Sequence, residues 1–252
     1  MELDPTSRDN FFPGLTVRIS KNGENIYGVV KEVLTQLAHD PNGIYLKLES
    51  GEMGNCIEIV QTKTEIESNL LVIQMNKDLK ADEGQYIEFK ETFGAPTNPM
   101  ARATKFDSKV MFSVGKTVQA FANTGGGTLY IGIKDRVKTL EGLDRDVAIM
   151  EEGKKDIDAL EIEMKSRLRK FFSRENKIFE IVDIRIIQYQ GKDVCIVKVG
   201  PSDFPFCLTS KHTGSEKDYF YVRIGNSSEM YTANQFFDYW LKRKINQLEL
   251  NF

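Results

Sequence analysis

The sequence predicts two units, a small all-β barrel at the N-terminus and a larger α+β domain of mixed α/β character behind it. Two observations predict this division. Short β-rich runs broken by turn chemistry fill the first sixty residues, whereas strand-like and helix-like segments alternate from residue 80 onward. The totals agree. At 252 residues, 40% hydrophobic and 28% charged, the chain carries enough apolar residues to bury real cores. A net charge of −3 argues against a wholly basic nucleic-acid coat but leaves room for a local basic groove. The apolar runs are short and interrupted, so no membrane span is expected. The opening "MELDPTSRDNFFPG" lacks the basic and apolar regions of a secretion signal. Cys56, Cys195 and Cys207 lie far apart without CxxC spacing, and only His39 and His212 stand beside them. No zinc is therefore expected, and the cysteines read as reduced core residues of a cytoplasmic protein.

In the first unit, "LTVRI" (15–19), "GVVKEVLT" (28–35), "GIYLKLE" (43–49) and "NCIEIV" (55–60) are the strand candidates. Asn22-Gly23, Pro41-Asn42-Gly43 and the stretch from Gly51 to Gly54 supply the turns. Four such strands closing on themselves give a small SH3-like or KOW-like barrel over residues 1–62. The stretch from 14 to 60, which ends in "GVVKEVLTQLAHDPNGIYLKLESGEMGNCIEIV", resembles the YwbE family. That family's pattern is close to "GxVKEILT", a histidine-proline-glycine turn, then "GIKVxLxxGxxGxV". The chain departs from it by inserting Asp40 between His39 and Pro41, and by placing Asn55 where a basic residue is expected. The resemblance implies nucleic-acid or ribosome contact. An accessory docking module is the competing reading.

Residues 61–82, "QTKTEIESNLLVIQMNKDLKAD", are polar at both ends around "LLVIQM", which predicts a linker with a short element (63–79) before a second domain over 80–252. That domain opens on "EGQYIEFKE" (83–91), a strand with Ile87 and Phe89 on one face and Tyr86, Glu88 and Lys90 on the other. Glu83 stands in the turn ahead of it. A Pro- and Gly-rich loop follows over 92–108. Val110, Val114, Val118, Phe121 and Ala122 recur at helical spacing, with Ser108 as the expected N-cap and Gly125 to Gly127 as the stop. "TLYIGIKD" is then a buried strand with Asp135 at its end. A helix is expected over 154–172, on the stripe Ile157, Leu160, Met164, Leu168 and Phe171. Strands are expected at 178–188, 193–199 and 219–228, and a last helix from about 233 to 248.

Two motifs invite chemistry. Gly115-Lys116-Thr117 is not a phosphate loop, because Val110 occupies the place of the required first glycine and the segment has helical periodicity. Glu88 and Lys90 share a strand face, with a second carboxylate, Glu83, just upstream. A salt-bridged solvated face is one account of that arrangement. A phosphodiester-cleaving site is the other, since hard carboxylate oxygens suit Mg²⁺ or Mn²⁺ and an adjacent ammonium can steady a nucleophile or a phosphate.

The set "E-x4-E-F-K", "AFANTxGGTLYIGIKD" and "YVRIGNSS", in that order between residues 80 and about 240, resembles the AlbA-like domain of the Schlafen family. The resemblance implies a metal-dependent endoribonuclease of structured RNA, tRNA foremost. Its acidic triad would be Glu83, Glu88 and Asp135, which would also hold the metal, with Lys90 beside it. A basic path is available in Arg102, Lys105, Lys109, Lys116, Arg136, Lys138, Lys242 and Arg243. The family's larger members use two related lobes, so a homodimer is expected to rebuild the groove from single-lobed chains. Two readings compete: a non-catalytic module binding nucleic acid or a nucleotide, and a ribosome- or tRNA-associated factor whose barrel matters most.

Overall fold

The computed structural model describes residues 3–60, 63–98, 104–151, 155–172, 177–209 and 218–249. The chain divides into two compact units, Met1–Lys77 and Asp78–Phe252. In the first, β1 (Thr16–Lys21), β2 (Glu24–Val33), β3 (Tyr45–Leu48) and β4 (Met53–Ile59) close into an antiparallel barrel. Closure follows from β1 pairing with both β2 and β4. Strand alternation sends Val17, Ile19, Val30, Leu46, Leu48 and Cys56 inward, where they are buried. In place of the expected linker with a short element, α1 is one helix over Lys63–Asp78, with Leu71 and Met75 buried one turn apart.

The second unit contains β5 (Ile87–Lys90), α2 (Ser108–Ala122), β6 (Gly127–Ile131), β7 (Ile133–Lys134), β8 (Thr139–Leu140), α3 (Asp144–Ala148) and α4 (Ile157–Arg169). It continues with β9 (Val182–Tyr189), β10 (Lys192–Val199), β11 (Leu208–Thr209), β12 (Asp218–Ile224), β13 (Ser227–Tyr231) and α5 (Ala233–Glu249). One sheet runs β5-β6-β10-β9, a second β11-β12-β13, and β7-β8 is a separate hairpin. β5 and β6 are parallel, so α2 serves as the crossover that parallel strands require. The core packs α2 (Val114, Val118, Phe121) and α4 (Leu160, Met164, Leu168) on β6 and β10. Among the described residues no helix is long and apolar enough to cross a membrane, and Cys56, Cys195 and Cys207 form no disulfide.

Several boundaries differ from expectation for local reasons. Asp107, not Ser108, caps α2, its carboxylate accepting from the backbone N–H groups of Lys109 and Val110. The strand expected through "TLYIGIKD" ends at Ile131, because Gly132 turns the chain at φ +99 and its carbonyl accepts from Glu141 and Gly142. Asp135 therefore sits on the β7-β8 hairpin rather than at the end of a sheet strand. The segment expected as a strand from 178 begins as a 3₁₀ turn, Ile178–Glu180, before β9. "YFYVRIGNSS" is a hairpin, with Ile224 opposite Ser227.

Candidate active site

β5 is four residues long, and its alternation separates packing from chemistry. Phe89 points inward and stacks on Tyr130 of β6 at 5.4 Å; the Tyr130 hydroxyl donates to Asp78 at 2.6 Å. Glu88 and Lys90 share the other face, Lys90 Nζ standing 3.1 Å from Glu88 Oε1. Their side chains are only 13% and 18% exposed, too covered for a freely solvated pair. Behind them lies Arg223 of β12, its side chain 1% exposed and its Nη2 2.7 Å from Glu88 Oε2. Arg223 also donates to the Gly84 carbonyl at 3.0 and 2.8 Å and to that of Ile87 at 3.3 Å. It thus neutralises Glu88 and ties the turn ahead of β5 to the second sheet.

Glu83 is held from the strand itself, its Oε1 accepting from Phe89 N–H at 2.8 Å. Burial pushes its carboxyl above the ordinary carboxylate value. The Phe89 bond opposes this, the charges of Glu88 and Asp135 raise it further, and Lys138 partly offsets them. Three carboxylates from two segments therefore share one electrostatic neighbourhood. Asp135 reaches it from the β7-β8 turn, where Arg136 and Lys138 adopt left-handed backbone angles of +63° and +51°. Non-glycine residues accept that conformation at a cost that the surrounding structure must hold.

Glu88, Lys90 and Asp135 line one cleft of about 550 Å³, together with Lys109, Ser113 and Arg136. Glu83 is not part of that lining. A 660 Å³ cavity beside Phe106 and Arg167 contains none of these groups. Lys105 is exposed, and Lys109 and Arg136 are exposed at the cleft. Lys116 is half-buried, and burial followed by the charge of Lys90 lowers its pKa. Lys138 lies back over the Phe89 ring, 3.5 Å from its centre. Lys242 stands exposed on α5, whereas Arg243 turns inward to the Asn123 carbonyl at 2.6 Å. Arg102 lies outside the described residues.

The carboxylate oxygens suit a hard divalent ion in type, but their arrangement does not fit one. Both Glu88 oxygens face cations, and one Glu83 oxygen faces an amide. Among the described residues, no group of three or more His, Cys, Asp or Glu side chains is placed to hold a metal.

Sequence reasoning missed the groups that brace the cleft. Arg223 was visible only as a letter in "YVRIGNSS"; an arginine between apolar strand residues was the available signal. Asp146, fully buried, accepts from the N–H groups of Phe93, Gly94 and Ala95 at 2.9, 2.8 and 2.8 Å and pins the chain leaving β5. Asn123 of the glycine-rich motif is structural: its amide bridges Phe206 and Tyr221. The glycines after it are steric. A Cβ on Gly126 would lie 2.6 Å from the Val199 carbonyl oxygen, and one on Gly127 would lie 2.6 Å from the Phe121 ring.

Two family models match the chain, one within each unit. The family model described as Schlafen, AlbA_2 matches residues 83–232. A second model, described as an uncharacterized conserved protein (DUF2196), matches residues 4–59. No curated protein matches the sequence. Among solved structures, the DIP2311 protein from Corynebacterium diphtheriae aligns at 19% identity and a TM-score of 0.45, over 69% of this chain and 32% of that protein. This chain thus spans about a third of that protein's length. The N-terminal domain of a putative ATP-dependent DNA helicase RecG-related protein from Nitrosomonas europaea aligns at 22% identity and a TM-score of 0.36. That alignment covers 66% of this chain and 93% of the domain.

Proposed function

The chain belongs to the Schlafen AlbA_2 family, and from that membership and the cleft we propose that its second unit is an endoribonuclease acting on structured RNA, tRNA foremost. The family itself implies a nucleic-acid role, as nuclease or binder. The observation that carries the finer reading is the convergence of three segments. Glu88 and Lys90 of β5 and Asp135 of the β7-β8 turn line one cleft, with Arg223 of β12 buried behind Glu88. A solvated surface pair has no use for such backing.

Cleaving a phosphodiester builds negative charge on the non-bridging oxygens, and preorganised cations lower that barrier. Lys90 in the cleft, with Lys109 and Arg136 beside it, supplies them. Glu88 orients Lys90, and Arg223 holds Glu88. Asp135, exposed at the same cleft with its Oδ1 accepting from Arg136 N–H, is the carboxylate placed to take the proton of the attacking hydroxyl as the new P–O bond forms and the scissile one breaks. The cytoplasm remains the proposed compartment. A second reading, binding without cleavage, draws on one fact: Glu88 already faces two cations.

The deciding experiment incubates the purified chain with total tRNA in Mn²⁺, Mg²⁺ or EDTA, read on a denaturing gel. Cleavage abolished by Glu88→Ala, and also by Asp135→Asn at an exposed position with far-UV circular dichroism unchanged, supports the nuclease. Binding with no cleavage in any of the three conditions returns the second reading. The expected dependence on Mg²⁺ or Mn²⁺ is decided by the EDTA lane, where persistent cleavage assigns the chemistry to the chain's own groups.

A further inference from the structure

One face of α5 seats the helix. Phe236 stacks on Phe220 at 4.4 Å, the Tyr239 hydroxyl donates to the Asn123 carbonyl at 3.0 Å, and Arg243 reaches the same oxygen. The opposite face carries Phe237, Leu241 and Ile245, exposed by 67%, 51% and 46%. Steps of four residues place these three in one stripe along the helix. Isolated exposed apolar residues are ordinary, but a continuous stripe marks a contact surface.

We propose that this outer face of α5 is the interface of a two-fold homodimer, with α5 of one copy antiparallel to α5 of the other and Leu241 packed on Leu241. The stripe is its own complement. Reversal about Leu241 exchanges positions 237 and 245, so each Phe237 meets the partner's Ile245, as a self-matching interface requires. The charges agree. Asp238 and Lys242 are exposed and border the same edge of the stripe. Antiparallel helices bring like edges together, which sets each Asp238 beside the partner's Lys242. An RNA occupant does not fit, because phosphates gain nothing from three apolar side chains. A single helix pair is smaller than a standard interface, so the dissociation constant is expected on the order of micromolar. This inference stands apart from the cleavage reading, and either can fail alone.

Sedimentation equilibrium of the full chain, from below to above that concentration, should show a reversible dimer. Leu241→Glu should weaken it about 100-fold or more while far-UV circular dichroism stays unchanged, since the side chain faces solvent. Asp238→Lys and Lys242→Asp should each weaken the dimer, and the two together should restore it. In a Cys207→Ser background, where the remaining native cysteines Cys56 and Cys195 are buried, Leu241→Cys should form a disulfide-linked dimer under mild oxidation that the background protein does not form. A monomer at every concentration overturns the proposal. So does a dimer indifferent to Leu241→Glu, or one that Leu241→Cys fails to cross-link.

Discussion

Glu83 and Lys90 stand on opposite sides of Glu88 in sequence, and their environments assign them different work. Burial and the charges of Glu88 and Asp135 raise the folded-state pKa of Glu83. A raised carboxyl favours the folded state in its protonated form. That contribution is present below the ordinary carboxylate value and is lost as pH rises through the folded value. Glu83→Gln keeps the acceptor for Phe89 N–H and removes the charge. It should therefore melt above the native protein near neutral pH and converge with it in acid. Thermal melts across pH test this; a variant less stable than native at pH 7 would sink it. Lys90 is judged by kinetics. If it meets the reacting phosphate, Lys90→Ala should lower single-turnover cleavage roughly 10²-fold with little change in RNA affinity. Small effects on both would leave it only a partner of Glu88.

At the scale of elements, β12 and β5 are joined by one buried ion pair, and that joint can be measured. Removing one member of a buried pair strands the other, at a cost of about 3–5 kcal/mol. Arg223→Leu should lose that much by chemical denaturation, because Glu88 keeps only Lys90. Adding Glu88→Leu should recover the part owed to the stranded carboxylate, but not the part owed to the Gly84 and Ile87 carbonyls that lose their donor, and it should not restore cleavage. A fully additive double variant would show that the pair is not coupled. The same joint explains what could be read in advance. The four barrel strands, α2, α4 and α5 were legible because their apolar residues repeat at the strand or helix period, and Glu88 and Lys90 were legible as same-face neighbours on β5. The break at Gly132, the Asp107 cap and the Arg223 partnership were not. The first turns on one backbone angle, the second on which of two adjacent side chains reaches the N–H groups of Lys109 and Val110, and the third on a contact between residues distant in sequence; periodicity records none of these. Asp146 gave no signal at all: it is an ordinary acidic letter in "LDRDVA" until Phe93, Gly94 and Ala95 converge on it.

At the scale of the whole molecule, two separately cored units raise the question of which one holds the RNA. The barrel core and the core of the second unit are distinct clusters, and acidic residues outnumber basic ones in residues 1–60. In the barrel, Arg18 is paired with Glu58 and Lys21 with Glu52, so two of the five basic residues there are already held by carboxylates. The cleft, by contrast, has Lys109 and Arg136 exposed at it. A lysine that contacts a phosphate releases a counterion on binding and adds about 0.7–0.9 to the slope of log affinity against log salt. Lys109→Ala should therefore weaken RNA binding and flatten that slope by about this amount. Lys31→Ala and Lys47→Ala, on the barrel, should leave both affinity and slope unchanged. Binding of all three variants to the same tRNA over a salt series decides the matter. Equal flattening by the barrel lysines would place RNA on the first unit and remove the cleft as the principal phosphate contact.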